Sequence, residues 1–161
     1  MIQRIIEKAD VKHSVNADKI LKEIKNYDIV SFDIFDTLLK RNVKEPTDVL
    51  SYMEKKYQID GFCEKRIEAE KTARKKKNGL EVTLKDIYTE FGTDYSDEEL
   101  ETESELLIAN DEVYPIFRKC IESKTVIIVS DMYLPENFIK EILKKEQIIG
   151  YKKLYLSSVI G

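Results

Sequence analysis

The amino-acid sequence predicts an α/β fold, a parallel sheet flanked by helices and interrupted by one helical insert. Three observations carry this reading. Thr125 to Val129 (TVIIV) is almost wholly apolar and β-branched, the pattern of a strand buried on both faces, as strands of parallel sheets are. A strand-like run, Asp28 to Ile34, precedes it, and a shorter one, Lys153 to Leu156, follows it. Between and around these runs the apolar residues fall at helical spacing, so that strand, helical insert, helix, strand, helix and strand alternate along the chain.

Taken in order, Ala17, Ile20, Leu21 and Ile24 form the stripe of a short amphipathic helix ahead of the first strand. Pro46 suits the first turn of a helix that turns Val49, Leu50, Met53 and Tyr57 inward. Phe62 to Lys77 reads as a second helix, with Phe62, Cys63, Ile67, Ala69 and Ala73 on one broad side and Gly79 as its stop. Thr83 and Asp86 have the spacing of a helix-starting capping pair, and Gly92 closes that helix after Ile87 and Phe91. Ser96 and Glu99 repeat the signal ahead of Leu100, Leu106 and Leu107. A further helix over roughly Val113 to Glu122 leads into the second strand, and Pro135 opens the last, striped by Phe138, Ile139, Ile142 and Leu143. The expected division is a sheet unit formed by residues 1–43 and 111–161, with residues 44–110 as a helical insert.

Composition narrows the function. Of 161 residues, 42% are apolar and 36% charged, enough for a core and unlike a disordered chain. With 27 Lys plus Arg against 31 Asp plus Glu the net charge is −4, so there is no basic field for nucleic acid. The apolar runs are far too short for a membrane span. Glu7, Asp10 and Asp18 interrupt the first twenty residues, where a secretory signal would be apolar. Cys63 and Cys120 lie far apart and read as free core thiols, which together with the missing signal predicts a cytoplasmic location.

Open parallel sheets bind ligands beyond the carboxyl ends of their strands. Here the first strand ends in FDIFDTLLKR, with Asp33 and Asp36 at or just past its end, and the second ends in Ser130-Asp131. A carboxylate beside a hydroxyl at adjacent strand ends can act as nucleophile and phosphate-binding donor, with Mg²⁺ offsetting the repulsion between two anions. Acidic and hydroxyl residues also end strands and start turns for structural reasons alone.

A hydrophobic strand followed by FD-x-x-x-T, and a later strand ending in Ser, resembles motifs I and II of the haloacid dehalogenase-like (HAD) hydrolase superfamily. The segments FDIFDTLLKR, VIIVSDMYLP and LYLSS resemble a bacterial subgroup of it, some of whose members are associated with glycosyltransferases. The insert resembles the family's helical C1 cap. The resemblance implies a Rossmannoid sheet and a Mg²⁺-dependent hydrolase. Asp33 would be the nucleophile that forms an aspartyl-phosphate, and Ser130 would bond a phosphoryl oxygen. Thr37 would shape the loop, and the Asp33 carboxylate and the backbone carbonyl of Phe35 would be metal ligands. The implied substrate is a small phosphorylated metabolite, such as a sugar phosphate.

Two departures shape the expectation. Phosphatases of the family usually carry a second Asp two residues after the nucleophile as general acid and base; here that residue is Phe35, which dehalogenase-type members also permit, and Asp36 is a low-ranked substitute or a turn former. No marker of halogenated-acid specificity is present, so a phosphatase is the reading taken. The Lys of motif III and the acids of motif IV would follow the third strand, and the sequence stops at Gly161. The expectation is therefore a core of three strands, truncated before those motifs, with an incomplete Mg²⁺ site and an unpaired edge on the first strand, so that the chain either self-associates through that edge or is only marginally stable. A non-catalytic HAD-like module, serving as an interaction domain, is the alternative. Of the remaining signals, KTARKKK (Lys71 to Lys77) reads as a solvated helix end or an anion-attracting cap surface. The acidic stretch Asp97 to Glu105 reads as a solvated face, and His13 as a residue without a site role.

Overall fold

The computed structural model of the protein describes residues 15–160. His13 lies outside them. Helix α1 (Ala17–Ile24) begins where the Asn16 side chain accepts the Lys19 N–H at 3.0 Å. Strand β1 (Ile29–Phe32) leads into a tight loop and β2 (Leu39–Arg41). Four helices follow, α2 (Asp48–Tyr57), α3 (Phe62–Lys77), α4 (Leu84–Phe91) and α5 (Ser96–Leu106). The chain returns through β3 (Leu107–Ala109), α6 (Tyr114–Ser123), β4 (Thr125–Ser130), α7 (Glu136–Lys145), β5 (Lys153–Leu156) and the single turn α8 (Ser157–Ile160).

Three strands form a parallel sheet in the order β1-β4-β5. Phe32 pairs with Ile128 and Ser130 with Leu156, so the three strand ends lie side by side. Burial on both faces of β4, expected from TVIIV, is not what the structure shows. Val126 and Ile128 are buried, but Val129 on the opposite face is 42% exposed. The reason is that the helices cover one face. Phe117 and Cys120 of α6 and Ile139 and Leu143 of α7 join Phe32, Ile128 and Leu156 in one core, with Phe117 edge-on to Phe32 at 5.6 Å. Among the described residues β1 has only β4 as a neighbour, and its Ile29 is 62% exposed.

The sequence signals missed β2 and β3, which pair antiparallel, Leu39 with Ala109 and Arg41 with Leu107. Three-residue strands carry too little periodicity to be read. This ribbon brackets α2–α5. Within them, Thr83 and Asp86 do form a reciprocal capping box, the Thr83 N–H donating to Asp86 Oδ2 at 2.9 Å and the Asp86 N–H to Thr83 Oγ1 at 3.2 Å. Ser96 and Glu99 do not. Ser96 is already inside α5, its N–H donating to Asp94 Oδ1 at 3.0 Å, and Glu99 turns into the interior.

The acidic stretch is likewise not a solvated face. Glu99 and Glu103 are 0% and 2% exposed. Four residues apart, they share one side of α5, and each meets an arginine in a fork. Arg66 of α3 donates to Glu99 from Nε and Nη2 at 2.8 Å each, and Arg41 of β2 donates to Glu103 from Nε and Nη2 at 2.9 Å each. Glu99 also accepts the hydroxyls of Tyr88 (2.6 Å) and Tyr133 (3.2 Å). Burial pushes both phenols well above the usual tyrosine range, so they remain protonated donors. Glu101 and Glu105 keep the solvated side and pair with Lys56.

Removing one partner of a buried pair strands the other charge, which costs about 3–5 kcal/mol. Glu99→Gln is therefore expected to lower unfolding free energy by about that amount in denaturant titration, and Arg66→Met combined with Glu99→Leu to regain most of it. A Glu99→Gln cost below about 1 kcal/mol would show that the pair is not held as described.

Candidate functional site

The site is built at the carboxyl ends of the parallel strands. Asp33 follows directly on Phe32, the last residue of β1, and its carboxylate is exposed. The loop from Asp33 to Leu38 is anchored by Ile34 and Leu38, both fully buried, and closed by the Leu39 N–H donating to the Ile34 carbonyl at 2.8 Å. It turns at Asp36, whose φ of 55° is left-handed, a conformation Asp adopts more readily than most residues. Thr37 Oγ1 donates to Asp33 Oδ2 at 3.2 Å. Asn110, just after β3, fixes the same loop from the returning chain. Its side chain donates to the Thr37 carbonyl at 2.8 Å and its N–H to the Leu38 carbonyl at 2.9 Å.

Phe35 turns its ring inward, where the Arg41 guanidinium stands 4.7 Å from the ring centroid. Because Arg41 is itself forked onto Glu103, the residue that replaces a second loop carboxylate is a packing link between the loop and α5. Ser130, 4% exposed, ends β4, and Asp131 follows it.

These residues line two cavities that share Asp33 and Asp131. The first, about 680 Å³, is bounded by Ser31, Glu81, Ser130, Tyr155 and Ser157. The second, about 560 Å³, lies between the strand ends and the helical insert and includes Asp36, Arg41, Glu70, Lys71, Arg74 and Tyr133. Asp33, Thr37 and Asp36 are thus one loop, and Ser130 joins Asp33 across the first cavity. Arg74 and Lys71, part of the basic run, reach the second cavity, although Arg74 is already paired with Glu70 at 2.7 Å.

Among the residues of the first cavity that carried no assigned role in the sequence are Ser157 and Glu81. Ser157 begins the turn after β5, and its Oγ, like that of Ser130, is buried without a hydrogen-bond partner among the described residues. The LYLSS segment held that signal, a hydroxyl at a strand end. Glu81 lies between α3 and α4, where no local pattern marks it. Among the described residues no three His, Cys, Asp or Glu side chains group tightly enough to hold a metal ion by themselves.

A buried hydroxyl without a partner is a cost to the fold, of about 1–3 kcal/mol. Ser130→Ala is expected to leave thermal stability unchanged or raise it, measured by circular dichroism melting. A loss of more than about 2 kcal/mol would mean the hydroxyl is satisfied within the protein.

No family model and no curated protein matches the chain. Among solved structures, the chain is similar to YfnB from Bacillus subtilis, a protein assigned as a HAD-hydrolase and crystallised in an orthorhombic form bound to magnesium. The TM-score is 0.52 with 13% sequence identity, over 81% of this chain and 65% of that one. The chain thus spans about 65% of the length of that structure. The parallel β1-β4-β5 sheet, its flanking helices and this likeness together give the chain a HAD-like Rossmannoid α/β fold.

Proposed function

We propose that the chain is a HAD-type hydrolase, a Mg²⁺-dependent phosphatase that acts on a small phosphorylated metabolite through Asp33. The observation that carries this is the first cavity, where the exposed Asp33 carboxylate and two buried, unpartnered hydroxyls, Ser130 and Ser157, face one space at three adjacent strand ends. Hydroxyls of that kind suit the oxygens of a phosphoryl group, which accept hydrogen bonds. Thr37 occupies Asp33 Oδ2 and thereby orients the carboxylate, leaving the other oxygen to attack phosphorus and form an aspartyl-phosphate that water then hydrolyses.

The donors fit Mg²⁺, which takes one or two carboxylates with waters and substrate phosphate. In this reading the Asp33 carboxylate and the Phe35 carbonyl would hold the ion, and when bound it would offset the charge between carboxylate and phosphoryl group. Residues 44–110 form the cap; the leaving group lies in the first cavity and extends toward the second. The second cavity's mixture of Lys71, Arg74, Glu70 and Tyr133 suits a polar metabolite such as a sugar phosphate. The free cysteines support a cytoplasmic location, and no described helix is long and apolar enough to cross a membrane.

With Mg²⁺ and a panel of phosphate esters, phosphate release is expected, abolished by chelator and lowered about 10³-fold or more in Asp33→Asn. Turnover that survives in Asp33→Asn refutes the mechanism.

A second reading, an interaction module, is favoured by the open edge of β1 with its exposed Ile29. In that reading a second copy pairs at the edge, sedimentation velocity shows a concentration-dependent dimer, and Ile29→Lys abolishes it. A monomer at every concentration removes this reading.

A further inference from the structure

We infer that Glu81 is the general acid and base of the site, donating the proton that the leaving oxygen needs; this rests on the phosphatase reading above. Cleaving an alkyl phosphate expels an alkoxide, which is too basic to leave without a proton. Phe35, in the loop beside the nucleophile, has no proton to donate. Displacement at phosphorus is roughly in line, so the donor must lie on the far side of the phosphoryl group from Asp33. Asp131, Ser130 and Ser157 all come, like Asp33, from strand ends. Among the residues lining the first cavity, Glu81 is the one supplied by the helical insert.

Its setting supports the role. Glu81 is half-buried and makes no hydrogen bond or ion pair among the described residues, whereas Glu70, Asp86, Glu90 and Glu99 of the insert are bonded to an arginine, lysine or capping N–H. Its loop is pinned on the side toward α4. Val82 is buried at 2% exposure, and the Leu84 N–H donates to the Tyr133 carbonyl at 3.0 Å, tying the start of α4 to the segment that follows β4. A free carboxyl held by an anchored backbone over the nucleophile's cavity is placed for proton transfer.

The steps balance. The Asp33 carboxylate oxygen bonds to phosphorus, the phosphorus–ester oxygen bond breaks, and its electron pair takes the Glu81 proton, releasing an alcohol. Water then attacks phosphorus while the Glu81 carboxylate accepts its proton. The phosphorus–Asp33 bond breaks with its electrons returning to the carboxylate, inorganic phosphate leaves, and Glu81 is protonated again.

The test compares glycerol phosphate, whose alkoxide needs a proton, with p-nitrophenyl phosphate, whose phenolate leaves without one. In Glu81→Gln, kcat/KM for the glycerol ester is expected to fall on the order of 10²–10⁴-fold and that for the nitrophenyl ester less than about tenfold. Equal losses on both esters overturn the assignment and leave the phosphatase reading standing. A selective loss in Asp36→Asn, with none in Glu81→Gln, transfers the proton to Asp36 and also overturns it. Wild-type protein that releases phosphate from neither ester, like Asp33→Asn, overturns the phosphatase reading and this inference with it.

Discussion

The carboxylate of Glu99 is where the helical insert is joined to itself and to the sheet unit. It accepts the Arg66 fork from α3, the Tyr88 hydroxyl from α4 and the Tyr133 hydroxyl from the segment after β4, while sitting on α5. A buried carboxylate is tolerated only when its charge is paired and its lone pairs are bonded, and here four donor bonds meet it. Such a pair adds less to net stability than its geometry suggests, since a well-packed apolar replacement often does as well. What it supplies is specificity of arrangement. The fork and the two hydroxyls are satisfied together only when three helices and the Tyr133 segment stand in one relation.

One turn further along α5, Glu103 extends the same logic to the loop after β1. Arg41 is forked onto it and stands over the Phe35 ring, so the loop that carries Asp33 is braced through Phe35 against the insert. Asn110 braces it again from the returning chain. The short β2–β3 ribbon brings these parts within reach, because Arg41 pairs with Leu107 at the end of α5. Position 35 in this chain therefore serves packing.

The strand ends show the opposite economy. Ser130 and Ser157 bury hydroxyls without partners among the described residues, as Tyr57 of α2 does, and Glu81 has no hydrogen bond or ion pair among them. Two of the three buried hydroxyls without a partner among the described residues thus lie at the strand ends beside Asp33. The exposed face of the sheet reaches this region through Val129, which lines the first cavity, whereas the exposed Ile29 lies at the opposite end of β1.

Much of this was legible in the sequence because it is local. Apolar stripes placed α1, α3 and α7, the Thr83–Asp86 spacing marked a real capping box, and the β-branched run located β4. The Asp33, Asp36 and Ser130 positions followed from acids and a hydroxyl at strand ends, and Thr37 from the resemblance of FD-x-x-x-T to motif I. By contrast, the burial of Glu99 and Glu103, the inward arginines, the β2–β3 ribbon, the exposed side of β4 and the place of Glu81 in the cavity that Asp33 lines depend on residues distant in sequence. A charged residue reads as solvated until its partner is known, and that partner lies 33 residues away for Glu99 and 62 for Glu103. The sequence by itself determined the order of elements and the identity of the strand-end groups. Only tertiary packing decided which charges are buried, which faces stay open and which carboxylates line the cavity beside Asp33.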